Sequence, residues 1–350
     1  MKEVKLSIIV PLYNGKDFVR ETVEGLLSIQ CQKEILIIDD GSKDGSYEYC
    51  KKLWGTNADI KLFSKSNSGI VDTRNFGMEH VSGKYLLFSD HDDVVYPRVI
   101  EEAVKRAEEE TLDGVIWSTV RLLDDGQCIP CDAVHSDCVV SKAEVLNEFI
   151  PAMLTNAKCQ KVSYLGHVWA GIYKREIVEK TKIRFKRFVD IEDDYLFVFD
   201  FLRAAARLGL MQDVGYAWRF NQKSETYRLK YVSHILEKYE AFYGYLTQGI
   251  QGLELSAEIR KICRTYQVQN TLVMTIENSF TCLNKRREDQ KKIRDYYRKN
   301  RTYFEVDSVF PYEKRRKRIY ACLRHGVFPA AAGYVYLDSI YRKIKKHMTL

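Results

Sequence analysis

An α/β fold is predicted, with a mostly parallel central sheet flanked by helices and a helical C-terminal extension. Three observations predict it. Short apolar runs alternate with segments of helical period through the first half of the 350-residue chain. The links between them are short and punctuated by Gly, Ser, Asn and Asp. Beyond about residue 228 the strand pattern stops, and helical segments rich in Tyr, Leu and Lys take over. Repeated βα units with short links set strands in parallel and helices on both faces.

Taken in order, Leu6–Val10 reads as a strand halted by Pro11, and Phe18, Val19, Thr22, Val23, Leu26 and Leu27 recur at helical spacing. Glu34–Asp39 is the second strand. The turn-rich Asp40-Gly-Ser42 and Lys43-Asp-Gly-Ser46 follow it, then a short helix. Ile60–Ser64 is a strand, Val71–Val81 a helix, and Lys84–Ser89 a strand of apolar residues suited to a sheet interior. Pro97, a favoured first helical residue, opens a helix to Glu110, and Gly114–Thr119 is the next strand. The pattern loosens from Gln127 to Val162. Asp190–Leu208 then reads as a helix with acids at its start, and Tyr216–Phe220 as a late edge strand. The expected domains are residues 1–228, carrying the sheet, and 229–350, helical with a basic tail.

Parallel sheets bind ligands beyond the carboxyl ends of their strands. Three polar groups fall there: Tyr13-Asn14, Asp39-Asp40, and Asp90-His91-Asp92-Asp93. Three carboxylates within four positions repel one another. A hard divalent cation, Mn²⁺ or Mg²⁺, carrying a substrate diphosphate would compensate them. A solvated acidic turn is the plainer alternative. Glu192-Asp193-Asp194 opens an apolar-faced helix, where the positive helix end keeps carboxylates ionised.

The bulk numbers restrict the classes. Hydrophobic content of 45% and charged content of 29% are ordinary for a soluble globular protein. No apolar run approaches a bilayer span, and the N-terminal residues carry no export pattern, so a cytoplasmic protein is expected. Nine cysteines in such a chain are expected as reduced thiols. Of the net charge of +7, the segment from Tyr312 to Leu350 holds ten Lys and Arg against two acids. The rest is close to neutral, which excludes nucleic acid as the expected partner. Lys314–Arg318 and Arg342–Lys346 flank the apolar stretch Val327–Leu337. That composition suits peripheral contact with an anionic membrane, or equally a solvated basic helix.

In series, the motifs are Ser7-Ile-Ile-Val-Pro-Leu-Tyr-Asn14, Ile37-Ile-Asp-Asp-Gly-Ser42, Asn67-Ser-Gly69, Arg74-Asn75, Asp90-His-Asp-Asp93 and Glu192-Asp193-Asp194. In this order and spacing the chain, from residue 5 to about 228, resembles the family 2 glycosyltransferases of the Rossmann-like GT-A fold that build bacterial surface polysaccharides. Gly166-His-Val-Trp-Ala-Gly-Ile-Tyr-Lys-Arg175 and Trp218-Arg-Phe-Asn-Gln-Lys-Ser224 also resemble segments of these enzymes. The resemblance implies an inverting, metal-dependent transfer from a nucleotide-sugar, foremost a UDP-sugar. The acceptor would be a saccharide or a lipid-linked oligosaccharide at the inner face of the plasma membrane.

It also implies roles. Pro11 and Tyr13 would pack on the base, Asp40 and less directly Asp39 would meet the base edge and ribose, and Asn67 and Gly69 would shape the loop. Arg74 would lie near the base and diphosphate. Asp92 would be the direct ligand of Mn²⁺ or Mg²⁺, with Asp90 near the ribose or a metal-bound water and Asp93 in support. Asp193 would be the general base, with Glu192 the second choice because three adjacent acids permit a one-residue slip. His91 departs from the family, which more often has a small residue there. Two other readings stay open. A nucleotidyltransferase would carry a glycine-rich basic loop after the first strand, where this chain has Pro11-Leu-Tyr-Asn-Gly15. A non-catalytic sugar-binding subunit of a polysaccharide assembly complex would have lost the carboxylates. Finally, Cys128, Cys131, His135 and Cys138 are zinc-type ligands within eleven residues, at a spacing tighter than usual knuckles. A chance cluster of loop thiols is the expected account.

Overall fold

The computed structural model describes residues 4–155, 159–163, 166–188, 193–219, 231–253, 255–280, 286–305, 314–327 and 329–337, with backbone only at 286–287 and 314–317. The chain divides into two compact units, one formed by residues 1–150 and 158–222, the other by 151–157 and 223–350.

The first unit is built on one sheet. In chain order its elements are β1 (Leu6–Leu12), α1 (Val19–Leu27), β2 (Lys33–Asp39), α2 (Ser46–Trp54), β3 (Ile60–Ser64), α3 (Ile70–Glu79), β4 (Tyr85–Phe88), β5 (Val94–Val95), α4 (Pro97–Glu109) and β6 (Gly114–Leu122). Next come β7 (Cys128–Pro130), β8 (Cys138–Ser141), α5 (Lys142–Glu144) and α6 (Ile150–Thr155), whose residues from Pro151 onward belong to the second unit. β9 (Gly171–Lys174), α7 (Arg175–Lys180), α8 (Asp193–Ala204) and β10 (Arg207–Arg219) complete the first unit. The strand order is β3-β2-β1-β4-β9-β6-β10-β5, with β7 added on β6 and β8 on β10.

β1 pairs in parallel with β2 and β4, β2 with β3, and β6 with β10. β9 is inserted antiparallel between β4 and β6. β1, β2, β3 and β4 therefore deliver their following loops to one edge. Their interiors are the apolar runs read in the sequence, and Leu6, Ile8, Ile9, Val10, Ile35, Leu36, Ile38 and Leu87 are fully buried. α3 lies close on this sheet because Gly77 has no side chain: a Cβ there would stand 2.6 Å from Cγ2 of Ile9.

Three expectations need correction. Pro11 does not stop β1, which continues to Leu12 with Pro11 in register with Ile38. The missing proline N–H falls where no ladder bond is needed. Tyr216 is not on an edge strand. β10 runs for 13 residues, with β6 on one side and β8 and β5 on the other. Its apolar residues were obscured by two irregularities, between Met211 and Val214 and between Val214 and Tyr216. At the second, Gly215 lies flat on Trp117, where a Cβ would meet the indole at 2.6 Å. Bulges re-aim side chains, and here the residue re-aimed is Tyr216. The Asp190–Leu208 helix is shorter than expected, since Leu208 already belongs to β10.

The second unit is helical. α9 (Ile235–Gly249), α10 (Ala257–Ser279), α11 (Arg286–Lys299) and α12 (Lys314–Arg324) are joined by a further helical segment at 329–337. α10 is central: Val268, Leu272, Val273 and Ile276 pack with Ile293, Tyr296 and Tyr297 of α11 and Ile319, Tyr320 and Leu323 of α12. In the last segment Ala331 and Val335 join this core, whereas Tyr334, Tyr336 and Leu337 are exposed, as is Val327 before it. Among the described residues no helix is long and apolar enough to cross a membrane. Arg342–Lys346 lies outside the described residues.

Candidate functional site

The loops leaving β1, β2 and β3 are stitched to one another. The Asn14 N–H donates to Ser42 Oγ at 2.9 Å, and its side-chain oxygen accepts from the Lys43 N–H at 2.8 Å. Gly15 N–H donates to Ser46 Oγ, and Asp40 N–H to the Leu12 carbonyl. Tyr13 stands out from this knot with 46% of its surface exposed. Asp39 makes the Asx turn that its sequence allows, accepting from the Ser42 N–H. Asp40 is buried and organises the loop after β3. It accepts from the Ser68 and Gly69 amides at 2.9 and 2.8 Å and pairs with the Lys65 ammonium. Both acids expected at the base and ribose are thus engaged inside the protein. Asn67 is exposed, and its backbone packs against the left-handed Gly41. Gly69, at φ 89°, opens α3.

Arg74 on α3 is drawn into a cluster of acids. It is 4% exposed, and its guanidinium is engaged by three carboxylates. Nη2 reaches Asp90 at 3.0 Å, while Nη1 reaches Asp193 at 3.3 Å and pairs closely with Asp194. Phe185 covers its face at 5.2 Å. Burial works against the guanidinium charge, but Asp194, Asp90 and Asp193 outweigh it and raise the pKa. The expectation set Arg74 against base and diphosphate; the structure makes it the link between the loop after β4 and the start of α8.

The loop after β4 is held from β10. Tyr216 Oη donates to Asp93 Oδ2 at 2.7 Å and accepts from the Asp90 N–H at 3.0 Å. Arg219 adds its own N–H to Asp93 Oδ1 and its Nε to the Asp92 carbonyl. From α1, Thr22 Oγ1 bonds to the carbonyls of His91 and Asp93. The presence of His91 now has an account. Its Nδ1 lies 3.1 Å from the Pro11 carbonyl, so that nitrogen carries the proton and donates, tying the acid loop to the end of β1. The ring also occupies the space left by Gly15, where a Cβ would be 2.0 Å from its Cδ2. A small residue at 91 would leave that space empty.

The three acids of this loop end in different states. Asp93 is buried, and burial with the charges of Asp90 and Asp92 holds its pKa well above the ordinary carboxylate range. Asp90 is bound to Arg74. Asp92, also pushed up by burial and by Asp90, receives no side-chain hydrogen bond or ion pair among the described residues.

At the head of α8, Asp193 is 6% exposed. Burial first and Asp194 second push its pKa up to about 6, against the pull of Arg74. Asp194 accepts from the Val168 N–H at 3.4 Å. Glu192 lies outside the described residues. Sequence reasoning missed Tyr216, Arg219, Lys65 and Asp194 as supports of the site. Their roles depend on partners up to 127 positions away; the sequence carries no signal for Lys65, while Asp194 and Arg219 stand in the Glu192–Asp194 and Trp218–Ser224 motifs and Tyr216 in an expected strand.

The four possible zinc ligands do not gather. Cys128 is in β7 and Cys138 in β8, and the backbone of His135 pairs with Lys161. Cys131 alone finds metal-type partners, in Asp132 and His167.

Residues 7–127 match the family model described as glycosyl transferase family 2. The uncharacterized glycosyltransferase EpsJ of Bacillus subtilis (strain 168) is 26% identical over 296 residues, covering 83% of this chain and 82% of that protein. The chain is a glycosyltransferase that carries a family 2 region over residues 7–127. The matched segment of this glycosyltransferase ends before α8, so it includes the acid loop and Arg74 but not Asp193. The uncharacterized glycosyltransferase YibD of Escherichia coli (strain K12) is 34% identical over 208 residues, 57% of this chain and 58% of YibD. Poly(ribitol-phosphate) beta-N-acetylglucosaminyltransferase TarP of Staphylococcus aureus (strain N315) is 25% identical over 252 residues, 68% of this chain and 72% of TarP. Among solved structures, S. aureus TarS 1–349 with UDP aligns at a TM-score of 0.65 and 18% identity, covering 97% of this chain and 92% of that one. The same TarS fragment with UDP-GlcNAc gives 0.63. At that identity the likeness is one of fold, and it is the GT-A fold.

The position of Asp193 has a consequence for stability. A carboxylate whose folded pKa lies near 6 rather than the ordinary 3.8 binds its proton more tightly when folded. Stability is therefore lost as pH rises through that window. Asp193→Asn removes the penalty and is expected to stabilise the protein at pH 7 by about 1–3 kcal/mol. Thermal melting against pH checks this: the gap between variant and wild type should close below about pH 4. A wild type that is the more stable of the two at pH 7 would contradict it.

Proposed function

We propose that this glycosyltransferase moves a sugar from a UDP-sugar to a saccharide or lipid-linked acceptor of a surface polysaccharide, with inversion at the anomeric carbon. N-acetylglucosamine is the first sugar to test, because TarP is named for its transfer and TarS was crystallised with its UDP ester. The observation that carries the mechanism is the single guanidinium of Arg74, which holds Asp90 of the acid loop and Asp193 of α8. The groups required at the leaving phosphate and at the attacking hydroxyl are thereby fixed to one another.

Asp193 is the general base. Ionised at neutral pH yet basic enough to accept a proton, it takes the proton of the acceptor hydroxyl as that oxygen bonds to the anomeric carbon. The bond from that carbon to the UDP oxygen breaks with its electron pair leaving on UDP. Asp92, assisted by Asp90, would hold Mn²⁺ or Mg²⁺. The fit rests on a half-buried carboxylate with no side-chain hydrogen bond or ion pair among the described residues, beside acids whose combined charge Arg74 and Arg219 do not cancel. Such an ion, when bound, neutralises charge on the departing diphosphate. Asp93, held by Tyr216 and Arg219, and His91, held by Pro11, keep the loop in shape. Tyr13, Pro11, Asn67 and Gly69 border the space proposed for the nucleotide. Asp39 and Asp40 support it by ordering the loops around it.

The C-terminal unit supports a peripheral membrane location. Its exposed Tyr334, Tyr336, Leu337 and Val327 occur in a segment of strongly basic sequence. Basic residues beside exposed aromatics suit an anionic bilayer surface. The protein is expected to sediment with phosphatidylglycerol vesicles at low salt and not with phosphatidylcholine vesicles. Equal behaviour with both would remove this part of the proposal.

Transfer is tested with UDP-GlcNAc, Mn²⁺ and a saccharide acceptor by UDP release. Asp92→Ala is expected to lose at least about 100-fold in ion-dependent turnover. Asp193→Asn is expected to bind donor normally in calorimetry while transferring nothing measurable. In the wild type, kcat/KM should fall about tenfold per pH unit below a pH of about 6. Pyrophosphate in place of UDP, or full activity in Asp92→Ala, would contradict the assignment.

A further inference from the structure

We propose a second cation site, for a borderline-soft divalent ion such as Zn²⁺, formed by Cys131, Asp132 and His167. One ligand atom from each, a thiol sulfur, a carboxylate oxygen and an imidazole nitrogen, lies within 4.8 Å of the others. It is the one such group of three among the described residues. The site is separate from the acid loop in both residues and chemistry. The acid loop offers carboxylates alone, the preference of Mg²⁺ and Mn²⁺, whereas thiolate with imidazole selects Zn²⁺.

The three ligands are carried on backbone that is already fixed. Cys131 and Asp132 follow β7 directly. Cys131 N–H donates to the Thr119 carbonyl at 2.9 Å, and Thr119 N–H to the Asp132 carbonyl at 2.8 Å. The Asp132 side chain is buried and accepts from Thr119 Oγ1 at 3.1 Å. His167 comes from the turn ahead of β9. Its Nδ1 is 2.7 Å from Asp132 Oδ2, and its ring stacks on Trp169 at 4.4 Å. Tetrahedral zinc ligation at about 2.0–2.3 Å sets ligand atoms roughly 3–4 Å apart. The group therefore closes on an ion through side-chain rotation, without movement of the strands. Asp132 and His167 also line a small cavity with Ala133, Val134 and Gly166. On binding, Cys131 loses its proton to solvent and the sulfur bonds to the ion; no electron is transferred.

The site would clamp the turn before β9 to the β6–β7 pair. That turn carries Trp169, which stacks on Tyr216 at 4.7 Å, and Tyr216 in turn grips Asp90 and Asp93. The ion would thus stiffen the support of the acid loop from behind, a structural rather than a catalytic use.

The test is spectroscopic and uses the full-length protein after chelator treatment, titrated with Co²⁺ in excess Mg²⁺. One equivalent should produce a thiolate-to-cobalt charge-transfer band with tetrahedral d–d absorption, displaced by Zn²⁺. Cys131→Ser and His167→Ala should abolish the band, while Cys128→Ser and Asp92→Ala keep it, circular dichroism confirming that each variant is folded. No thiolate band in the wild type, its survival in Cys131→Ser, or its loss in Cys128→Ser or Asp92→Ala would overturn the proposal.

Discussion

A buried guanidinium among carboxylates is the constraint on which this site depends. Removing Arg74 from water is costly, and one carboxylate would only partly offset that cost. Three carboxylates converge on it, from two segments separated by about a hundred residues of chain. Because Asp90 follows β4 while Asp193 and Asp194 open α8, the charge pairing also sets the register between them. Gly77 is part of the same constraint, since only a close approach of α3 to β1 brings Arg74 to this depth.

The arrangement leaves acids unequal, and that inequality is useful. Asp194 and Asp90 satisfy most of the guanidinium, so Asp193 stays close to it at 3.3 Å but remains basic. Asp93 is fixed by Tyr216 and Arg219, which leaves Asp92 as the loop's outward carboxylate. Crowding of this kind lowers stability near neutral pH, the usual cost of a site held ready for charge that arrives only with substrate. The supports lie behind the acids: the bulge at Gly215, the stack of Tyr216 on Trp169 and His167, and His91 wedged over Gly15.

Much of this was legible in the sequence, for a local reason. Ile60–Ser64 and the cores of β1, β2 and β4 are apolar runs, and their polar successors are adjacent in the chain, so strand and site were read together. Asp193 was legible as the first turn of an apolar helix. What failed was long-range. Nothing near Arg74 announces that its partners lie 16 and about 120 residues away. Its burial, rather than its charge, decides its task. The interior position of β10 was hidden because bulges break the alternation on which strand reading relies. Pro11 signalled a strand end, yet a proline costs nothing where its N–H has no ladder partner. The paired thiols and histidine were read by spacing along the chain, whereas the partners that Cys131 meets are the adjacent Asp132 and the distant His167.

The central claim is that the buried Arg74 is coupled energetically to the carboxylates that open α8. A double-mutant cycle on unfolding free energy, with Arg74→Met, Asp194→Asn and the pair, measures that coupling. The account predicts an interaction energy of about 1–3 kcal/mol, with the double variant more stable than the two single losses added together. Additivity within about 0.5 kcal/mol would contradict it.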